Sequence, residues 1–283
     1  MKRIKCFSLY IQITFSITFF LSIFLTSSPT YSNLLPKLSL KSSGLFYGGK
    51  YTGHSERYNI DAGIDLTTYL LSWEKTDLYI EYISNLEMAK QVGNVTMDPR
   101  YAHYFIIGGL RTKLKGYILR SYIVHDCKHI IDFPPDSNKV VFNRLKFAVS
   151  RNLRNLKSRF QVNTRKNKRA RRVSWEAIYG FYPQSKIIDY LNSRPYYKHD
   201  FEITFNYPLA FFNKGEISTV VRGRYTISAN TPPRYYRELS FAIEGCIFNK
   251  YGALCLFIKN MPLSNDPLKS PEGLSILGLR YLF

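Results

Sequence analysis

The chain has 283 residues, 16% of which are aromatic, and its formal net charge at pH 7 is +20. A charge this positive predicts an anionic neighbour, such as lipid phosphate, a polyanionic saccharide or an anionic solute. The sequence contains no nucleotide-binding loop, dinucleotide fingerprint or kinase motif, which argues against those classes of enzyme.

Residues 1–32 are typical of a secretory signal peptide. Basic residues precede an almost wholly apolar run at 6–25, and Thr30 and Ser32 are small residues suited to cleavage before Asn33. The alternative is a retained transmembrane helix, because the apolar run is close to spanning length. An exported chain has no access to nucleic acid, so we expect no nucleic-acid partner.

Residues 33–283 form one predicted domain, in which many short segments alternate between apolar and polar side chains. The clearest segment opposes Phe201, Ile203, Phe205, Tyr207, Leu209 and Phe211 to Asp200, Glu202, Thr204 and Asn206. This period of two predicts β-strands with one hydrophobic face. A soluble β-sandwich also alternates, but its apolar faces are rarely so aromatic in every strand. We therefore predict an all-β, antiparallel, up-and-down transmembrane barrel, which pairs every backbone group in lipid.

The predicted barrel has about twelve strands, and one region decides this number. Between Asp132 and Lys198 the antiparallel order allows either no strand or two strands. We favour two, because apolar and polar residues alternate around Arg144 and again around Glu176. The alternative is a barrel of ten strands with a large external insertion.

The joining region contains a basic run without any acidic residue, from Arg151 to Arg172. Its densest part holds Arg165, Lys166, Lys168, Arg169, Arg171 and Arg172. The run is either a solvated loop or an anion-binding patch, since each cation near an anionic lipid surface adds about 1 kcal/mol. With twelve strands it lies at the inner end of the barrel, and with ten strands at the outer end.

His125, Cys127 and His129 are a candidate chemical cluster. On an extended strand they share a face, with neighbours about 6.8 Å apart. The alternation of the preceding residues, with Leu119 and Ile123 outward, places the cluster outward and near the outer rim. This is where the ester groups of lipids lie.

Two chemistries suit this cluster. Cys127 is a potential thiolate nucleophile with a histidine as its base. Alternatively, His125, Cys127 and His129 bind a divalent metal together with Asp132, which would be the only cofactor. The remaining interpretation is a polar loop rim with incidental histidines. The cluster resembles the His-x-Ser pair of outer-membrane phospholipases, with cysteine in place of serine, and this resemblance implies hydrolysis of a phospholipid or of lipid A.

Cys246 and Cys255 lie at equal distances from a predicted turn at 249–252. They should face each other on the inward side of two antiparallel strands. Directly opposed positions without mutual hydrogen bonds bring the Cα atoms to about 4.5 Å, within range of a disulfide. An oxidising compartment favours the bridge, and the alternative is two buried thiols.

The last strand ends on an aromatic residue. Leu277, Leu279, Tyr281 and Phe283 share one face. This strand resembles the closing strand of bacterial outer-membrane β-barrels. The resemblance implies a location in the outer membrane after export, with lipid and lipopolysaccharide as neighbours. It also implies that the barrel-assembly machinery recognises the strand that ends at Phe283.

The predicted inward faces carry both signs of charge. They hold Asp61, Asp65, Glu81, Glu176, Glu202, Glu244, Arg111, Arg120, Arg144, Lys146, Arg222, Arg224 and Arg280. Such a lumen is either a water-filled channel that selects anionic solutes or a salt-bridged scaffold for an external site. The sequence therefore favours a porin-like channel or a surface protein, with a lipid hydrolase as the alternative.

Overall fold

The computed structural model describes residues 36–53, 58–89, 99–130, 140–151, 173–183, 197–229, 232–266 and 271–283. Leu38–Phe283 form one compact unit. The predicted signal peptide, the six cations of the basic run and Asp132 lie outside the described residues, as does the side chain of His129. In the described ranges, no helix is long and apolar enough to cross a membrane.

Twelve antiparallel strands close into a barrel, in which each strand pairs with its neighbours in sequence and the first strand pairs with the last. The strands are β1 (Lys37–Thr52), β2 (Ile60–Ser72), β3 (Thr76–Met88), β4 (Pro99–Leu114), β5 (Tyr117–Ile130), β6 (Val140–Arg151), β7 (Ser174–Phe181), β8 (Tyr197–Phe212), β9 (Gly215–Ser228), β10 (Tyr235–Phe248), β11 (Ala253–Ser264) and β12 (Ser275–Leu282). The prediction of twelve strands is confirmed, and the alternative of ten is wrong because β6 and β7 both belong to the sheet.

The two faces of the barrel wall differ as the alternation predicts. Ile123 and Ile243 on the outside are 59% and 57% exposed, whereas Arg144 and Asp200 on the inside are 4% and 1% exposed. Successive strand residues point to opposite faces, so the buried charged residues of the strands point into the lumen while apolar residues cover the outer surface. The described interior therefore holds the buried charges, and the outer surface is hydrophobic.

A β-bulge in β8 corrects one detail of the prediction. The pairing of β8 with β9 shifts between Pro208 and Ala210. A proline has no backbone N–H for the ladder, so it is tolerated at such an irregularity. The shift reverses the alternation, so that Phe211 pairs with the inward Glu216 and Phe212 becomes the exposed aromatic residue. The prediction from sequence placed Phe211 outward because it assumed that the alternation continues unbroken through the whole strand.

The strands are joined by short turns at one end of the barrel, which we call the short-turn end. Two-residue turns join β4 to β5 and β8 to β9. Lys115, Gly116 and Lys214 adopt positive φ there, as tight hairpin turns require. Because antiparallel strands alternate in direction, the last residue of β6 and the first residue of β7 also lie at this end. Cys127 lies near the opposite end, three residues before the end of β5.

The predicted disulfide is confirmed. Cys246 on β10 pairs directly with Cys255 on β11, and the two residues are bridged with a Cα–Cα distance of 4.0 Å. Both are fully buried and pack with Phe248 and Ala253 inside the short-turn end. The bridge therefore crosslinks the two strands of one hairpin from the lumenal side.

We predict that Ile243→Arg lowers the free energy of unfolding by about 2–4 kcal/mol, because it places a charge on the lipid-facing side near the middle of β10. Ser240→Arg is the matched control, since Ser240 lies on the same strand and lines the polar lumen. Urea unfolding in lipid vesicles, followed by tryptophan fluorescence, measures both. Equal losses for the two variants would contradict the assignment of the faces.

Candidate functional site

The outward side of β5 and β6 carries a hydrogen-bonded polar pair. His125 on β5 lies directly opposite Asn143 on β6, and His125 Nδ1 is 2.8 Å from Asn143 Oδ1. The neighbour of His125 on the other side is Ile106 of β4, which is 58% exposed on the outer surface. The pair therefore stands on the lipid-facing side of the wall, as the sequence predicted for His125.

Cys127 follows His125 by two positions and lies on the same outward face. It pairs with Tyr104 on β4 and with Val141 on β6. Only 9% of Cys127 is exposed. Cys127 is therefore buried between aromatic and apolar strand neighbours, and His125 is the next outward residue along β5.

Asn143 is the site residue that sequence reasoning missed. On β6 the outward positions are Val141, Asn143, Leu145 and Phe147, so Asn143 is a polar residue in an otherwise apolar series. Placing an amide on a lipid-facing surface costs free energy unless a partner satisfies it. That break in the alternation was the available signal, and the register between β5 and β6 supplies the partner.

The hydrogen bond between these two residues fixes the chemistry of the imidazole. An amide oxygen can only accept a hydrogen bond, so the bonded nitrogen of His125, Nδ1, carries the hydrogen atom. Its N–H group donates the bond to Asn143 Oδ1. The other ring nitrogen, Nε2, is then the basic one. A cysteine, a histidine base and an asparagine that orients the base are the components of a known type of nucleophilic triad.

In the described part of the chain, no group of three or more His, Cys, Asp or Glu residues is placed so that it could hold a metal ion. Two of the four ligands of the predicted metal site, the side chain of His129 and the whole of Asp132, lie outside that part. The site with His125, Cys127, His129 and Asp132 therefore stays a prediction from sequence.

Directly behind this pair, an ion cluster lies in the lumen. Arg144 forms an ion pair with Asp126, and its Nη1 lies 3.0 Å from Asp200 Oδ2. The Tyr182 hydroxyl donates a hydrogen bond of 3.0 Å to the same Asp200 oxygen. Burial raises the pKa of the Tyr182 phenol, so it stays protonated and remains a donor. The cluster joins β5, β6 and β8 on the inside of the wall.

The ion pairs continue along the lumen. Lys146 Nζ lies 2.9 Å from Glu202 Oε1, and Glu202 also bonds to Arg222. Arg120 and Glu176 meet at 2.8 Å. On the other side of the barrel, Arg280 and Glu244 meet at 2.6 Å. The charges that the sequence placed inward are thus largely paired with one another, because buried charges are costly unless they are paired.

A cavity of about 430 Å³ opens in the lumen. Its charged lining residues include Asp126, Glu238, Asp266, Lys128, Arg222 and Arg224. Another part of the interior is filled by Tyr79, Ile107, Tyr122 and Val124, which pack together and are at most 7% exposed. The lumen therefore contains both a polar cavity and a packed apolar cluster.

Replacing Arg144 with Met would leave Asp126 and Asp200 buried without their shared cation. We expect a loss of about 3–5 kcal/mol in the free energy of unfolding, as for other broken buried pairs. Lys113→Met is the control, because Lys113 is 59% exposed and lies 4.0 Å from Asp77, and it should lose less than about 1 kcal/mol. Urea midpoints in vesicles compare the two, and similar midpoints would refute a buried role for Arg144.

No family model matches the chain. No curated protein matches it either. Among solved structures, the Salmonella typhi outer-membrane phospholipase, a dimer with bound calcium, has a TM-score of 0.51 at 11% identity, covering 89% of this chain and 93% of its own. The Vibrio cholerae outer-membrane protein OmpT, in trimer form, has a TM-score of 0.32 at 7% identity, covering 87% and 99%. A mutant of the Rh. blastica porin has a TM-score of 0.31 at 9% identity, covering 87% and 100%. The chain therefore has the fold of bacterial outer-membrane β-barrels.

Proposed function

We propose that this chain is an outer-membrane lipid hydrolase, with Cys127 as the nucleophile, His125 as the base and Asn143 as the residue that orients the base. One observation carries the proposal: His125 Nδ1 lies 2.8 Å from Asn143 Oδ1 on the lipid-facing side of the wall, two positions before a cysteine. Polar side chains at membrane depth cost free energy and commonly mark functional sites. The substrate class is an ester-linked lipid of the surrounding membrane.

The first half of the reaction forms a thioester. His125 Nε2 takes the proton of the Cys127 thiol, and the sulfur attacks the carbonyl carbon of a lipid ester. The C–O bond to the alcohol breaks, and the proton held by His125 passes to the departing oxygen. The products of this step are the lyso-lipid or free alcohol and an acyl group bonded to Cys127.

The second half restores the enzyme. A water molecule gives a proton to His125 Nε2, and its oxygen attacks the thioester carbon. The C–S bond breaks, the fatty acid leaves, and the sulfur takes the proton back. Asn143 keeps the imidazole in the tautomer and orientation that both halves need, because its oxygen accepts the hydrogen bond that the Nδ1–H group donates.

The place of the site in the barrel supports a lipid substrate. Cys127 lies near the end of β5 that is opposite to the short-turn end, where ester groups would lie next to the wall. Tyr104 lies opposite Cys127, and Ile106 and Ile123 extend the outward apolar surface along β4 and β5, on which acyl chains can pack. The similarly folded Salmonella typhi protein is named a phospholipase, and its fold and name agree with this choice.

The ionic lumen favours a scaffold over a channel. Ion pairs link Arg144 to Asp200, Lys146 to Glu202 and Arg280 to Glu244, so most of the inward charges that would attract an anionic solute are neutralised within the wall. The porin-like function that the net charge suggested depends on uncompensated cations. For this reason, we place the activity on the outer surface of the barrel.

The test is release of fatty acid from vesicles of phosphatidylethanolamine and phosphatidylglycerol that contain the refolded protein. We expect Cys127→Ala to abolish release and His125→Ala to lower it by about 10²–10⁴-fold, the usual contribution of a general base. His199→Ala is the matched control, because His199 is another ring on the outer wall and bonds to Tyr179 at 2.9 Å. It should release fatty acid at the wild-type rate.

The same vesicles discriminate between the hypotheses. If the wild type releases no fatty acid and instead conducts ions in steps of steady size, the channel replaces the hydrolase. Equal rates for the wild type and Cys127→Ala would also refute the nucleophile. If His125→Ala and His199→Ala slow release equally, the imidazole acts on stability and is not the base.

A further inference from the structure

The residues next to the proposed triad are joined to each other inside the barrel. Asp126 lies between His125 and Cys127 on β5, and Arg144 directly follows Asn143 on β6. Neighbours on a strand point to opposite faces, so the triad faces lipid while Asp126 and Arg144 face the lumen. The inner ion pair thus stands behind the outer hydrogen bond, on the same two strands.

This inner pair is deeply buried and is held from several sides. The side chains of Arg144 and Asp126 are 5% and 9% exposed. Asp126 also contacts His103 of β4, with His103 Nε2 2.5 Å from Asp126 Oδ1. Arg144 bonds in turn to Asp200 of β8 at 3.0 Å. Asp126 and Arg144 therefore cannot shift without breaking charge-assisted bonds to other strands, which are stronger than neutral ones.

The triad depends on the geometry that this pair controls. His125 and Cys127 are on one strand and Asn143 is on the next, so their approach depends on the register between β5 and β6. A slip of one residue would turn every one of these side chains to the opposite face. A smaller shift, on the order of 1 Å, can already cost about 10²-fold in rate. Buried ionic groups are best known for fixing such registers.

We propose that Asp126 and Arg144 are positioning residues: their lumenal ion pair holds His125, Cys127 and Asn143 in reactive geometry on the opposite side of the wall. The inference rests on the proposed function, but the positioning can be tested separately, through the reactivity of the Cys127 thiol. Neither residue touches the lipid. The pair acts through the backbone of β5 and β6.

The experiment compares Asp126→Asn with Glu244→Gln in full-length protein that is assembled in phosphatidylethanolamine and phosphatidylglycerol vesicles. Both substitutions remove one buried carboxylate charge that bonds to an arginine in the lumen, but Glu244 is on β10 and its partner Arg280 is on β12, away from the triad strands. Assembly is checked by the change of electrophoretic mobility on heating. The main readout is the rate at which iodoacetamide alkylates Cys127, measured by mass spectrometry of the peptide that contains it.

We expect Asp126→Asn to slow alkylation at pH 7 by about 10-fold, towards the rate of His125→Ala, and to lower kcat for fatty-acid release by about 10–100-fold with KM unchanged. Glu244→Gln should change both rates by less than about twofold, because neither Glu244 nor its partner Arg280 lies on β5 or β6 and distant sites act independently. Equal effects of the two lumenal variants, or no effect of Asp126→Asn, would overturn the positioning role.

Two further variants, Asp126→Glu and His125→Ala, separate a failure of the positioning role from a failure of the proposed function. If Asp126→Asn does not assemble, Asp126→Glu retains the charge but displaces the carboxylate by one methylene, and it should still slow alkylation; a wild-type rate would refute the inference. If His125→Ala leaves alkylation unchanged, the activation of Cys127 in the proposed function is wrong. If His125→Ala slows alkylation and both Asp126 variants do not, only the positioning role is wrong.

Discussion

Closure of a single antiparallel sheet is the constraint on which the rest of this molecule depends. In a closed barrel every strand pairs on both sides, so the wall has no edge and all backbone groups of the strands can be satisfied within lipid. The same geometry leaves each side chain only two directions, outward or inward. A residue that faces lipid is therefore followed in the chain by one that faces the lumen, as His125 is by Asp126.

This alternation explains how buried charges in the lumen and a hydrophobic outer surface coexist in one sheet. The lumenal charges are tolerated because they pair across strands, as Arg144 does with Asp126 and Asp200. Pairs that join strands two positions apart, such as Lys146 with Glu202, also resist sliding of the strands between them. The lumenal ion pairs therefore help to specify the register of the sheet. The register in turn decides which outward residues lie opposite each other.

The outer site shows what such a register can assemble. His125, Cys127 and Asn143 come from two strands that are joined by the connection at 131–139, and only pairing brings the asparagine opposite the histidine. A cysteine with an oriented imidazole is suited to acyl chemistry on esters. In the function that we propose, its place on the lipid side of the wall favours membrane lipids over soluble esters, because the substrate can reach the thiol without leaving the bilayer.

The sequence by itself determined the class of fold, the number of strands, the disulfide between Cys246 and Cys255 and the outward position of His125. All of these follow from a period of two and from symmetry about a turn, which are local properties of the chain. The reversal at Phe211 was missed because a bulge changes the period without a change in composition. Only the tertiary structure decided that Asn143 faces His125 and that Asp126 pairs with Arg144, because these contacts depend on the register between separate strands, which is set by the whole closed sheet.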